Sequence, residues 1–374
     1  MRIAILSCFH PYRGGIAQFN GNLFLELGKT ADVKAFNYSR QYPGFLFPGK
    51  TQYVASGDDS FPLESEAVLD TANPFNWRCA AKKIRKWNPD LLLLRYTMPW
   101  FAPSLGFVAR RMPSSCKVIA IADNVIPHER HFFDKALTRY FLKGLDGCVT
   151  LCDAVAEDLK DWAPELRRKV IFHPLYTHFG AKLPREETER RLGLEHGKKN
   201  LLFFGLIREY KGLDILLEAF DGLPDDYQLI IAGECYGSFD KYAEAIATSP
   251  GKDRIHLFRK YIGDSEVKDF FSVADLTVLP YRSATQSGVS SVSYHFDVPM
   301  IVTDVGGLRE TIGDTGTGLV ASSPDAEAVR EKILEYFAAP ETGESCRKNI
   351  LREKERLSWN RFSKELITFA EELS

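Results

Sequence analysis

Residues 200–220 read NLLFFGLIREYKGLDILLEAF: an apolar run that stops at Gly205, a turn carrying Arg208 and Lys211, then apolar residues at Leu213, Leu216, Leu217 and Phe220. A run with almost no polar interruption suits a strand buried on both faces, and the helical period behind it completes a strand, turn, helix unit of a parallel sheet. The same grammar recurs on either side. RIAILS (2–7), LLLLR (91–95) and KVIAIA (117–122) precede it, and QLIIAG (228–233), LTVLP (276–280) and PMIVTD (299–304) follow. Two such series in 374 residues predict two doubly wound α/β domains, since a single core stops growing at about 250–300 residues. From His173-Pro174 to about Glu187 no strand or clear helix pattern is found, so this stretch reads as the linker. The expected domains are 1–175 and 188–355, followed by a tail, 356–374, in which Trp359, Phe362, Leu366, Phe369 and Leu373 make an amphipathic helix that needs a surface to cover.

Composition narrows the function. With 45% hydrophobic and 26% charged residues the chain has material for packed interiors and no signature of disorder. It has no basic-then-apolar leader and no uncharged apolar stretch near the roughly 18 residues of a membrane span, so a cytoplasmic address is expected. The seven cysteines are scattered without paired spacing and read as reduced thiols, neither a disulfide framework nor zinc ligands. The net charge of −2 hides an asymmetry, 23 basic against 17 acidic residues in 1–173 and 25 against 33 in the remainder. No nucleic-acid partner is expected. The basic first half suits either ordinary solvated helix faces or contact with anionic lipid or a phosphate-bearing substrate. Within it, WRCAAKKIRKW (77–87) sets Lys82, Lys83, Arg85 and Lys86 among Trp77, Ile84 and Trp87, a pattern open to a solvated helix or an interfacial one.

Chemistry-bearing residues gather where strands end. Gly14 and Gly15 follow the first strand, where glycines let backbone amides approach a phosphate or sugar, or simply make a tight turn. The pattern is not GxGxxG, which argues against a nicotinamide dehydrogenase. After KVIAIA come Asp123, Asn124, His128, Glu129 and Arg130, with His128 suited to a sugar hydroxyl or to capping a helix. Arg95, Tyr96, Trp100 and Phe101 put a cation and aromatics at another strand edge, as a sugar platform or as a packed loop. In the second half Arg208 and Lys211 stand at a helix start, where a diphosphate would be neutralised. YRSATQSGVSSVSYHF crowds small and hydroxyl residues, among them Gln286, Ser287, Gly288 and Val289, into a strand-to-helix turn that suits phosphate or ribose oxygens. Gly306-Gly307 repeats the idea, with Glu310 placed to accept a hydrogen bond. No DxD aspartate pair stands out, so no metal and no cofactor are expected.

Taken in order, PYRGGIAQFNGNLFLELGK, RYTMPWFAPSL, DNVIPHE, HPLY, FFGLIREYKGLDILLEAF, ADLTVLPYRSATQSGV and VPMIVTDVGGLRE resemble the family 4, or group 1, glycosyltransferases of the GT-B fold across nearly the whole chain. The resemblance implies two Rossmann-like domains facing across a cleft, acceptor on the first and donor on the second, with the C-terminal helix returning to the first. It implies a retaining transfer from a UDP- or GDP-sugar to a glycan or lipid-linked acceptor in bacterial surface polysaccharide synthesis. Gly14, Gly15, Gly205 and Glu234 would border the donor, Arg208 and Lys211 would grip its diphosphate, and His128 would contact the transferred sugar. Gln286 to Val289 would stand on the donor side, and Arg95, Asn124 and Glu129 on the acceptor side. One departure is plain: relatives carry two glutamates eight positions apart where this chain has Ala284 and Val292. An epimerase of the same fold, or a silent sugar-nucleotide-binding protein, remains as an alternative.

Overall fold

The computed structural model describes residues 1–12, 14–42, 53, 63–126, 132–176, 178–235, 237–284 and 287–373. The chain forms two compact units, residues 1–174 together with 357–374, and residues 175–356.

The first unit is built on seven parallel strands: β1 (Arg2–Leu6), β2 (Asp32–Arg40), β3 (Glu66–Asp70), β4 (Leu91–Tyr96), β5 (Lys117–Ala122), β6 (Gly147–Thr150) and β7 (Arg167–Val170). Their spatial order, β3-β2-β1-β4-β5-β6-β7, reverses direction between β1 and β4. Alternation along the strands feeds two cores. Ala4, Leu6, Leu92, Leu94, Val118 and Ala120 face one way, toward Ala80, Ile84, Leu105 and Val108. Ile3, Ile5, Leu91, Leu93, Ile119 and Ile121 face the other, toward Phe19, Leu23 and Leu27 of the Gly15–Gly28 helix. The C-terminal helix, Trp359–Glu372, joins that second core through Phe362, Leu366 and Phe369. It lies so close over β6 that a Cβ on Gly147 would meet Phe369 at 2.9 Å. Ser358 starts it by accepting from the Arg361 amide at 3.2 Å.

The second unit has six parallel strands: β8 (Lys199–Phe204), β9 (Tyr227–Ala232), β10 (Ile255–Phe258), β11 (Leu276–Leu279), β12 (Met300–Thr303) and β13 (Gly318–Ala321). The order β10-β9-β8-β11-β12-β13 again reverses, between β8 and β11. Leu201, Phe203, Leu229, Ile231, Val278 and Ile301 bury one face against the Leu213–Asp221 and Ala326–Ala338 helices. The unit starts earlier than the reading of residues 174–187 as a linker places it. Arg185–Leu192 is a helix, obscured in the sequence by its run of charges. Those charges tie it down: Arg185 donates to Asp275 at 2.6 and 2.9 Å and to the buried Glu189 at 2.6 Å, and Glu189 also accepts from Asn200 at 3.1 Å.

Candidate functional site

Doubly wound sheets hold ligands outside the carboxyl ends of their strands, where the strand order reverses. In the second unit that point lies between β8 and β11, and the two loops there are sewn together. Tyr210 accepts from the Arg282 amide at 2.7 Å, and the Arg282 guanidinium donates to the Glu209 carbonyl at 3.0 Å and to Asp214 at 2.9 and 2.7 Å. The backbones approach closely enough to require glycine. Gly212 has φ +67°, and a Cβ there would sit 2.1 Å from the Pro280 carbonyl oxygen. A Cβ on Gly233 would sit 1.9 Å from the Gly205 carbonyl oxygen.

This framework places Lys211, at the end of the short turn Glu209–Lys211, inside the protein. It is 9% exposed, its Nζ lies 5.6 Å from the centre of the Tyr281 ring, and it would lie 3.2 Å from a Cβ on Gly205. Burial, and then the neighbouring Arg208, push its pKa down to about 8, so at neutral pH it still holds a proton. Among the described residues it has no ion-pair partner, an arrangement that an anionic ligand completes. Arg208 stands exposed on the same turn and lines a shallow hollow with Glu209, Tyr210 and Arg282.

Lys211 also lines a cavity of about 330 Å³ shared by Phe179, Phe204, Tyr210, Ile262, Asp264, Val267, Tyr281, Ser287, Gly288, Val289 and Val292. The walls are mostly apolar with a few polar groups, the make-up of a small-molecule site. Burial pushes the Tyr281 phenol up to about 12, so it is neutral, and it hydrogen-bonds the Ser287 hydroxyl at 3.2 Å. Of the residues singled out in the sequence, the fold brings Lys211, Ser287, Gly288 and Val289 together here, with Gly205 beside Lys211. Glu234 is exposed, and its carbonyl accepts from the Ile207 amide at 2.8 Å; its side chain does not line the cavity. Gln286 lies outside the described residues. Sequence reasoning missed Tyr281, after β11, and Ile262 and Asp264, in the segment that leads into the Asp264–Val273 helix; the two places share no local pattern.

The first unit has its own strand-end cluster. Gly14, with φ +105°, is exposed and precedes the Gly15–Gly28 helix, and nothing lies within 4 Å of where its Cβ would be. Asn20 donates to Ser7 and to the Cys8 carbonyl at 2.8 and 2.9 Å, and Asn37 to the Phe9 and His10 carbonyls at 3.1 and 3.0 Å, so the loop after β1 is held from beneath. Arg95, 4% exposed, grips Asp123 through Nε at 2.8 Å and through Nη2, and lies 3.9 Å from the centre of the Phe19 ring. Its Nη1 is buried with no hydrogen-bond partner among the described residues. Asn124 is half-buried at the same edge. Of the two readings left open for these aromatics, the packed one holds for Tyr96 and Phe101. Tyr96 is fully buried and bonded to Thr138 at 2.7 Å, and Phe101 stacks on Tyr38 at 5.5 Å; β4 and the turn behind it point both inward. Trp100 is 37% exposed, its indole nitrogen donating to Thr71 at 3.0 Å. His128 and Glu129 lie outside the described residues.

Residues 184–353 match the sequence model of the family described as glycosyl transferases group 1. Spore coat protein SA of Bacillus subtilis (strain 168) is 23% identical over 295 residues, 73% of this chain and 76% of that one. The lipopolysaccharide core biosynthesis mannosyltransferase LpsB of Rhizobium meliloti (strain 1021) is 26% identical over 211 residues, 54% of this chain and 58% of its own. Apart from spore coat protein SA, the chain aligns with 63% or less of the length of these curated relatives. The solved structure of Anabaena HepE, in complex with UDP, matches with a TM-score of 0.67 over all of both chains at 12% identity, a likeness of fold. All the residues lining the Lys211 cavity except Phe179 lie inside the matched segment, residues 184–353, which is similar to the group 1 glycosyltransferases, and the two parallel-sheet units have the architecture of GT-B structures.

Proposed function

We propose that the protein transfers a sugar from a UDP- or GDP-sugar to a glycan or lipid-linked acceptor, with retention of anomeric configuration and without a metal. The observation that carries this reading is Lys211: a buried cation with no ion-pair partner among the described residues, beside Arg208 and lining a nucleoside-sized cavity at the strand-order reversal. As the bond from the sugar's anomeric carbon to the diphosphate breaks, negative charge grows on the departing oxygens. Lys211 and Arg208 are placed to neutralise it, and removing one such group typically lowers kcat by about 10²–10³-fold. HepE was solved with UDP, and LpsB is named for lipopolysaccharide core synthesis; both support the donor and acceptor classes by analogy.

The test is nucleoside diphosphate release from UDP-glucose, UDP-galactose, UDP-N-acetylglucosamine and GDP-mannose. Release from one donor that falls at least 10²-fold in Lys211→Met is the expected result. A second reading, binding without turnover, is favoured by Val292, an apolar residue that lines the cavity at a position where the family resemblance implies a glutamate. A donor that binds and is never consumed would establish that reading.

Peripheral membrane contact at a cytoplasmic surface completes the proposal. The Pro74–Trp87 helix buries Ala80, Ala81 and Ile84 in its own unit, and Trp77 donates to the Asp70 carbonyl at 2.9 Å. Its apolar residues are therefore spent on the core, and what faces outward is Arg78, Lys82, Lys83, Arg85 and Lys86 with the 89% exposed Phe75. No helix among the described residues is long and apolar enough to cross a membrane. Replacing Lys82, Lys83, Arg85 and Lys86 by Gln should weaken sedimentation with vesicles containing anionic lipid; unchanged sedimentation would remove the membrane from the proposal.

A further inference from the structure

We propose that Asp264 is the carboxylate that recognises the hydroxyl groups of the donor's pentose, an assignment that rests on the cavity being the nucleoside site. Among the described residues lining the cavity, Asp264 is the single carboxylate. Ile262, Val267, Val289 and Val292 offer no hydrogen-bonding side chain, and the Ser287 hydroxyl is engaged with Tyr281 at 3.2 Å. A vicinal diol presents two donors, and an ionised carboxylate is an acceptor with two oxygens, so the two match in number and polarity.

The surroundings of Asp264 leave it free for this work. It opens the Asp264–Val273 helix, but the helix start is held by other groups. Gly263 accepts from the Glu266 amide at 2.9 Å, and the Glu266 carboxylate reaches back to the Gly263 amide at 3.3 Å. One oxygen of Asp264 lies 3.2 Å from Nε2 of His178; the other has no partner among the described residues. The side chain is 31% exposed, so it remains solvated and reachable. His178 stands 4.2 Å from the ring of Phe179, another cavity residue, and this contact fixes the imidazole that orients the carboxylate.

Calorimetric titration of the full chain with UDP, GDP and ADP, each against its 2′,3′-dideoxy counterpart, tests the assignment. The parent should prefer the ribose form of the nucleotide it binds by about tenfold or more, the size of a hydrogen bond to a charged group. Asp264→Ala should keep diphosphate binding and lose that preference, with Asp264→Asn, which retains one acceptor oxygen, between the two. Unfolding of Asp264→Ala without nucleotide should match the parent, because Glu266 holds the helix start; if it does not, the Asn variant decides. Asp264→Ala with the parent's full preference, or a parent with no preference, overturns the role of Asp264 alone. A parent that binds none of the six overturns the nucleoside reading of the cavity with it.

Discussion

Lys211 keeps its charge in a place that disfavours charge, and two measurable effects follow. Its pKa of about 8 means that the cation needed for a diphosphate is lost as pH rises through that value. Affinity for the bound nucleoside diphosphate should therefore fall between about pH 7 and 9, and Lys211→Arg should flatten the fall because guanidinium stays protonated. The sign for stability is the opposite. The depressed pKa makes the unfolded chain bind more protons than the folded one between about pH 8 and the ordinary lysine value, so this group makes stability rise with pH there. Gly212 is the backbone counterpart: with φ +67° and the Pro280 oxygen 2.1 Å from any Cβ, Gly212→Ala should cost about 1–3 kcal/mol or more and lower the melting temperature. At this scale the sequence was legible where a residue type and its place were both local. Arg208 and Lys211 stand between a strand and its helix, and their chemistry could be read there. Asp264 could not be found that way, since its meaning depends on His178 and on Val289 and Val292, which only the fold brings near. Tyr96 and Phe101 were left open between two readings, because an aromatic at a strand end reads the same whether it points out or, as here, inward.

Between elements, the Arg282 and Asp214 pair fastens the turn bearing Lys211 to the loop after β11. Both side chains are more than a third exposed, so Arg282→Met should change unfolding free energy by only about 0–1 kcal/mol. Nucleotide affinity should drop several-fold all the same, because the turn loses the bond that positions it; equal affinity in a calorimetric titration would separate the pair from the site. The C-terminal helix offers a stronger test of packing: Leu366 is fully buried against the first sheet, and Leu366→Ala should cost about 2–5 kcal/mol in denaturant unfolding. Strands β1, β4, β5, β8, β9, β11 and β12 were legible because burial on both faces writes a continuous apolar run, whereas the interior strands β2 (DVKAFNYSR) and β6 (GCVT) carry no such run. β7 (RRKV) and β10 (IHLF) were not legible either, being four residues long, at sheet edges and only part-buried, so nothing in their composition separates them from loops. The Arg185–Leu192 helix escaped for a related reason, its ties being ion pairs and hydrogen bonds to distant residues rather than an apolar stripe.

Over the whole molecule, the family segment, 184–353, falls within the unit of residues 175–356, and so does every group of the proposed donor site. The unit of residues 1–174 and 357–374 keeps the doubly wound order while carrying a different strand-end chemistry, a buried Arg95 neutralised by Asp123 in place of a lysine with no ion-pair partner among the described residues. Because the proposed donor site lies within one unit, it is testable without knowledge of the acceptor. Thermal unfolding of the parent, Arg208→Ala and Lys211→Met should be followed with UDP, GDP, ADP, dTDP and CMP in turn. A rise in melting temperature with one nucleoside diphosphate, reduced in Arg208→Ala and abolished in Lys211→Met, is the expected result. No rise with any of the five, or a rise that both variants keep in full, would contradict the assignment of this cavity to a nucleotide-sugar.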